Sequence, residues 1–139
     1  MVVGGAVRDT ILCREVRDAD ITTSASMDEI ISVWPGCKLI GKYPRTTALV
    51  LVRDILLDVS SFHGKSLEED LNRRDLTINA IAMNSSGEVI DPCGGTSDIA
   101  SGRLRFTGDP VDRLREDPLR AVRLARFAAT LPYFSIDEA

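Results

Sequence analysis

Strand-like and helix-like segments interleave along this 139-residue chain and predict a single α+β domain. Three observations carry that reading. The chain opens on apolar Val2-Val3 and then Gly4-Gly5, the pattern of a strand, a tight turn and a helix start. Its middle holds two β-rich runs, Ala48 to Val52 and Ile55 to Phe62, separated by Arg53-Asp54 in the manner of a hairpin. Its last third holds Asp109-Pro110 and Asp117-Pro118, each an N-cap followed by proline at the first helical position.

Composition bounds the rest. Hydrophobic residues at 44% and charged residues at 27% are ordinary for a globular protein with a proper core. A net charge of −4 argues against a self-sufficient nucleic-acid binder, so any grip on RNA is local or lies elsewhere. The three cysteines, Cys13, Cys37 and Cys93, are isolated, and His63 is the sole histidine, which argues against a zinc site and fits a reducing compartment. No apolar run approaches the roughly 18 residues of a membrane span, and no targeting segment is visible. Met1-Val2-Val3 already has strand character, so the natural N-terminus and any targeting segment are expected to have been removed.

Taken in order, Gly4-Gly5-Ala6-Val7-Arg8-Asp9 starts a helix expected to run through Leu12. Two glycines let backbone approach a phosphate closely, a helix start offers free N–H groups, and Arg8 adds a charged fork. The next stretch, Arg17-Asp18-Ala19-Asp20-Ile21-Thr22-Thr23, reads as a strand. Side chains at i and i+2 share a face of a strand, so Asp18 and Asp20 project side by side with Cα atoms roughly 6.5–7 Å apart. Two such carboxylates repel unless a cation bridges them, and Mg²⁺ with a nucleotide triphosphate suits that donor set. An isolated Asp-x-Asp would also fit a solvated strand edge; the Gly-Gly-x-Val-Arg-Asp run shortly before it favours the metal site.

Ser26 is an N-cap for a helix from Met27 to Val33 or Trp34, with Ile30, Ile31 and Trp34 as its apolar stripe and Pro35-Gly36 as its stop. Lys38 to Arg45 leads into the Ala48 strand. Asp58 stands among apolar β-formers, where an unpaired charge is costly. Ser66 and Glu69 form a capping box for the next helix. Ile78, Ile81 and Ala82 recur at helical spacing and are expected in the core. Val89-Ile90 is a short strand, Asp91 to Ile99 a tight glycine-rich connection, and Leu104-Arg105-Phe106 the last strand. The final helix runs from Pro118 to about Thr130, with Leu119, Val122, Ala125 and Ala128 packing inward and Asp117, Arg120, Arg123 and Arg126 in a contiguous stripe.

These motifs resemble those of the class II tRNA nucleotidyltransferases and bacterial-type poly(A) polymerases of the polymerase β superfamily, in order and over essentially the whole chain. The resemblance implies a mixed, mainly antiparallel sheet flanked by helices as a catalytic head over 1–108, and the start of a helical neck over 109–139, with body and tail absent. It implies that Asp18, Asp20 and Asp58 bind Mg²⁺, that Gly5 and Arg8 hold the triphosphate, and that Arg74 contacts the nucleotide. It further implies that Asp75 accepts a hydrogen bond from the ribose 2′-OH, that Asn79 braces the site, that Asp117 and Arg120 read the base, and that Arg123 and Arg126 line the nucleotide pocket. The implied partners are ATP or CTP and an RNA 3′ end, held mainly by regions outside this chain, with no membrane. The implied location is a bacterial cytoplasm or an organelle.

The implied reaction is NTP-dependent extension of an RNA 3′-hydroxyl. Leu39-Ile40-Gly41-Lys42 with Arg45 resembles the segment of poly(A) polymerases, so poly(A) addition leads, with CCA addition to tRNA and a non-catalytic nucleotide-binding fragment as alternatives. Two departures stand out: His63 replaces the family's usual arginine, and only Gly64-Lys65 stands where a mobile loop is usual.

Overall fold

The computed structural model describes residues 1–16, 18–42 and 45–137, with the backbone alone for Arg45. Arg17, Tyr43-Pro44 and the Arg45 side chain of the sequence motifs lie outside the described residues.

The core element is a seven-stranded sheet in the order β3-β4-β5-β2-β1-β6-β7. Its strands are β1 (Val2–Val3), β2 (Asp18–Thr23), β3 (Lys38–Lys42), β4 (Arg45–Val52), β5 (Ile55–Ser61), β6 (Ala82–Met83) and β7 (Val89–Ile90). All neighbouring pairs run antiparallel except β2 and β5, which run parallel. The β4–β5 turn is the expected Arg53-Asp54, with φ of 48° and 69°, the positive pair a two-residue hairpin turn demands. Lys38–Lys42 is a full edge strand rather than a lead-in.

Period-two alternation divides this sheet chemically. Ala48, Val50 and Val59 are buried with Ile30 of helix α2 (Met27–Val33), and Ile21 and Leu57 pack on them. The intervening Asp18, Asp20, Asp58 and Ser60 line a cavity on the opposite face. Ser26 caps α2 in a full capping box with Glu29. Of its expected stripe only Ile30 is buried, while Trp34 sits at the helix end and remains 37% exposed.

On the cavity side, α1 (Gly5–Ile11) ends one residue earlier than expected. Helix α3 (Leu67–Asn72) has Ser66 accepting from the Glu69 N–H, but Glu69 turns back to the Lys65 N–H, so the capping box is half formed. Ile78, Ile81 and Ala82 are fully buried, yet no α-helix holds them: only a 3₁₀ turn, Thr77–Asn79, forms there. The backbone is pinned crosswise, Thr77 N–H to Arg105 O and Thr107 N–H to Asp75 O, and this pairing overrides the helical pattern. The same pairing draws Phe106 to Leu76 and keeps it out of the large sheet. β8 (Arg103–Leu104) instead pairs with β9 (Ser135–Ile136).

The glycine-rich stretch winds into α4 (Gly95–Ser101), whose first N–H groups are capped by Asp91. A Cβ on Gly95 would overlap the Thr77 carbonyl, so only glycine permits this approach. Helix α5 (Pro110–Glu116) is capped by Asp109, and α6 (Leu119–Thr130) by the Asp117 carboxylate on the Leu119 N–H. The inward face of α6 differs from expectation. Leu119 and Val122 are 67% and 64% exposed, while Phe127 and Leu131 enter the core with Val7, Leu76 and Ile78. Leu124 and Ala128 pack beside them, a stripe at i, i+3, i+4, i+7.

Candidate active site

The carboxylates come first because the sheet register fixes them. Parallel pairing sets Asp20 directly beside Asp58, and Asp18 shares their face two residues along β2. Adjacent strands lie about 4.8 Å apart, so the two backbones hold their carboxylates as neighbours. Burial raises the Asp20 carboxyl above its ordinary range, and Asp58 and Asp18 push the same way against the lowering effect of Arg74. Asp20 opens on the cavity, so water there screens part of this shift.

Among the described residues no three Asp, Glu, His or Cys side chains converge into a ready-made metal cage. An open pair of carboxylates is nonetheless the donor set Mg²⁺ takes when waters and phosphate oxygens complete its shell. The mutual repulsion at Asp20 is the local sign that a cation would relieve it. Asp18, Asp20 and Asp58 are the residues that fit that task.

Around them lies a cavity of about 900 Å³ with an arginine-rich wall. The β1–α1 turn enters it at Gly4, Gly5 and Ala6. Gly4, not Gly5, carries the backbone demand: its φ is +71°, and a Cβ there would sit 3.2 Å from Asp20 Oδ2 and 3.3 Å from Arg74 Nη1. Gly5 has ordinary helical geometry and meets only the tip of Arg8.

Arg8 is buried and tightly held. Nη1 donates to Asn79 Oδ1 at 2.6 Å, Nε and Nη2 donate to Asp9 at 3.0 and 2.9 Å, and the guanidinium lies 5.1 Å from the Phe127 ring centre. Among the described residues, two of its five N–H groups have no partner and remain for an anion. Asn79 also donates to Asp75 Oδ1 at 3.2 Å, so it braces Arg8 and Asp75 as expected. Asp75 accepts further from the Leu76 N–H and from Arg123 Nε, both at 2.8 Å. The Arg126 guanidinium also lies over the Phe127 ring, 4.8 Å from its centre.

Asp117 and Arg120 form the far wall. Arg120 donates to Glu116, to the Arg113 carbonyl and to the Arg73 carbonyl, which fixes its plane. The Arg120 hydrogen bond holds the Glu116 carboxyl below its usual range. Every expected site residue therefore lines one cavity: Gly5, Arg8, Asp18, Asp20, Asp58, Arg74, Asp75, Asp117, Arg120, Arg123 and Arg126.

Sequence reasoning gave no role to Asp70, Arg113, Glu116 and Phe127, which line it too, and singled out Gly5 rather than Gly4 for the triphosphate. Gly4 was legible as half of the Gly-Gly pair. Asp70 lies in the first turn of α3, and nothing in its sequence spacing marks it as buried.

Comparison with known proteins shows the family and the fold. The model of the poly A polymerase head domain matches residues 1–65 and 42–105. The chain is 42% identical over 132 residues to the CC-adding tRNA nucleotidyltransferase of Halalkalibacterium halodurans, covering 95% of this chain and 35% of that protein. It is 41% identical over 147 residues to the CCA-adding enzyme of Bacillus velezensis, covering 94% and 37%. The crystal structure of the Bacillus stearothermophilus CCA-adding enzyme in complex with CTP superimposes with a TM-score of 0.89 at 39% identity, over 99% of this chain and 36% of that one. The chain thus spans little more than a third of the length of these relatives. It belongs to the poly A polymerase head domain family, the group of class II tRNA nucleotidyltransferases and bacterial-type poly(A) polymerases in the polymerase β superfamily.

Proposed function

We propose that this chain is the catalytic head of a tRNA nucleotidyltransferase, an enzyme that extends a tRNA 3′ end from CTP. The observation that carries this reading is the in-register Asp20–Asp58 pair facing an arginine-lined cavity. Residues 1–108 form the head in this reading, and 109–139 begin a helical neck.

The RNA 3′-hydroxyl attacks the α-phosphorus of CTP, a P–O bond forms, the α–β bridge breaks and pyrophosphate leaves. Asp58 accepts the hydroxyl proton or its hydrogen bond. The two free N–H groups of Arg8, the turn at Gly4-Gly5 and Arg74 hold the phosphates. Asp75 takes the 2′-OH on the oxygen it shares with Arg123. Arg120 donates to the ring acceptors of cytosine and Asp117 accepts from its amino group, a pairing the donor and acceptor inventory permits. Bound Mg²⁺ would supply positive charge for the entering and leaving oxygens; Asp18, Asp20 and Asp58 would hold it.

Poly(A) addition loses its lead. Its support was Leu39-Ile40-Gly41-Lys42, which lies on the exposed edge strand β3, away from the cavity. Named relatives add CC or CCA.

A finer reading, that addition stops after CC, has its own support. The 132-position alignment to the CC-adding relative covers 95% of this chain, which is 132 residues, so it leaves no gap. The 147-position alignment to a CCA-adding relative covers 94%, some 131 residues, and so holds about 16 positions without counterpart here. The two-residue Gly64-Lys65 connection, where a mobile loop is usual in the family, is the natural place for them.

The test is extension of a tRNA lacking its 3′ end by the intact protein. Two added cytidines with CTP, and no adenosine when ATP is supplied, support the CC reading. A complete CCA end refutes that reading and keeps the enzyme class; no addition refutes both.

A further inference from the structure

Asp70 is a carboxylate that no part of the nucleotide-handling scheme uses. It is 1% exposed, on α3, and it faces the cavity. Its two oxygens are divided between two elements. Oδ1 accepts the His63 backbone N–H at 2.8 Å. Oδ2 accepts from Arg74 Nη2 at 3.2 Å.

Both attachments lead to the site. His63 lies just past β5, the strand that carries Asp58, and the adjoining Phe62 N–H bonds the Thr23 carbonyl at the end of β2. Asp70 therefore pins the exit of the strand pair whose register places Asp20 beside Asp58. At its other oxygen it holds an arginine with few alternatives. Arg74 Nε is buried with no partner among the described residues, and Asp70 is the only described carboxylate within ion-pair distance of its guanidinium. Nη1 points to the Gly4 turn and the Asp20 carboxylate, whose ionised form the Arg74 charge favours.

Resting on the nucleotide-transfer reading above, we propose that Asp70 is a positioning residue: it holds the Arg74 guanidinium back from Asp20, so that Arg74 meets the incoming triphosphate and Asp20 stays free. Loss of the Asp70 charge leaves Asp20 as the strongest anion near Arg74. The guanidinium then closes onto it, and the phosphate site loses its cation.

Asp70→Asn tests this, because the amide keeps the shape and an acceptor for the His63 N–H. The readout is CTP binding to the intact protein by calorimetry in a double-mutant cycle with Arg74→Ala. In the wild-type background Asp70→Asn weakens CTP binding about tenfold, the scale of one lost charged hydrogen bond. With Arg74 already alanine, Asp70→Asn has no further effect on CTP binding. In steady-state assays of Asp70→Asn the KM for CTP rises while kcat stays within about threefold, because the acids remain in place. An equal loss of CTP affinity with and without Arg74, or no loss in either background, overturns the proposal. Wild-type protein that binds no CTP refutes the nucleotide-transfer reading itself.

Discussion

The β1–α1 turn gives the sharpest single prediction, since it sets two neighbouring glycines against each other. Gly4 has φ +71° and ψ −134° and is buried, and a Cβ there would press on Asp20 Oδ2 at 3.2 Å and Arg74 Nη1 at 3.3 Å. Alanine at such a backbone position costs about 1–3 kcal/mol in strain. At roughly 4 °C per kcal/mol for a chain of this size, Gly4→Ala lowers the thermal midpoint by about 4–12 °C. It also moves one acid and one phosphate-binding cation by a few tenths of an ångström, so CTP binding weakens with it. Gly5→Ala meets only the guanidinium of Arg8, at an ordinary contact distance of 3.4 Å, and needs no unusual φ. Alanine there gains up to about 1 kcal/mol of helix propensity, so the midpoint holds or rises, while the added methyl narrows the approach of a phosphate and weakens CTP binding alone. Differential scanning calorimetry and CTP titration of both variants give the answer. A Gly4→Ala protein as stable as wild type, or a Gly5→Ala protein equally destabilised, refutes the reasoning.

Asp20→Asn abolishes transfer yet raises the thermal midpoint at pH 7. The folded-state pKa of metal-free Asp20 is raised, so its ionisation opposes folding; the gain shrinks as pH falls through that raised folded-state value and is gone below about 4, where the wild-type carboxyl is protonated in both states. Phe127→Ala removes a ring that is only 6% exposed and that the Arg8 and Arg126 guanidinium groups both contact; it costs about 3–5 kcal/mol in denaturant unfolding, and Phe127→Leu recovers most of that stability but not the Arg8 placement, read as weaker CTP binding. Gly95→Ala drives a methyl into the Thr77 carbonyl and costs more stability than Gly4→Ala, with no selective effect on CTP binding in the protein that remains folded.

The acid-bearing face of the sheet was legible in the sequence because period two acts locally. Asp18, Asp20 and Asp58 alternate with Ile21, Leu57 and Val59, and burial of the apolar set dictates where the acids point. Helix caps at Ser26, Ser66 and Asp109 were equally local and stand where expected. Distant pairing was not legible. The helical spacing of Ile78 and Ile81 yielded to hydrogen bonds with Arg105 and Thr107, almost thirty residues away. The inward face of α6 was misassigned for a related reason: which of its apolar rows is buried depends on where the Val7–Leu76–Ile78 cluster lies, and Leu119 and Val122 face away from it. Asp70 was invisible because its burial comes from the β5 exit and Arg74, not from its own helix.

The most direct test of the central claim separates chemistry from binding at Asp58. In a single-turnover assay, the intact protein is mixed with Mg²⁺, α-labelled CTP and a tRNA lacking its 3′ end. Wild type is predicted to transfer labelled cytidine and release pyrophosphate, while Asp58→Asn binds CTP within about threefold of wild type and transfers none. Undiminished transfer by Asp58→Asn would contradict the account, because the Asp20–Asp58 pair would then not be where the reaction occurs.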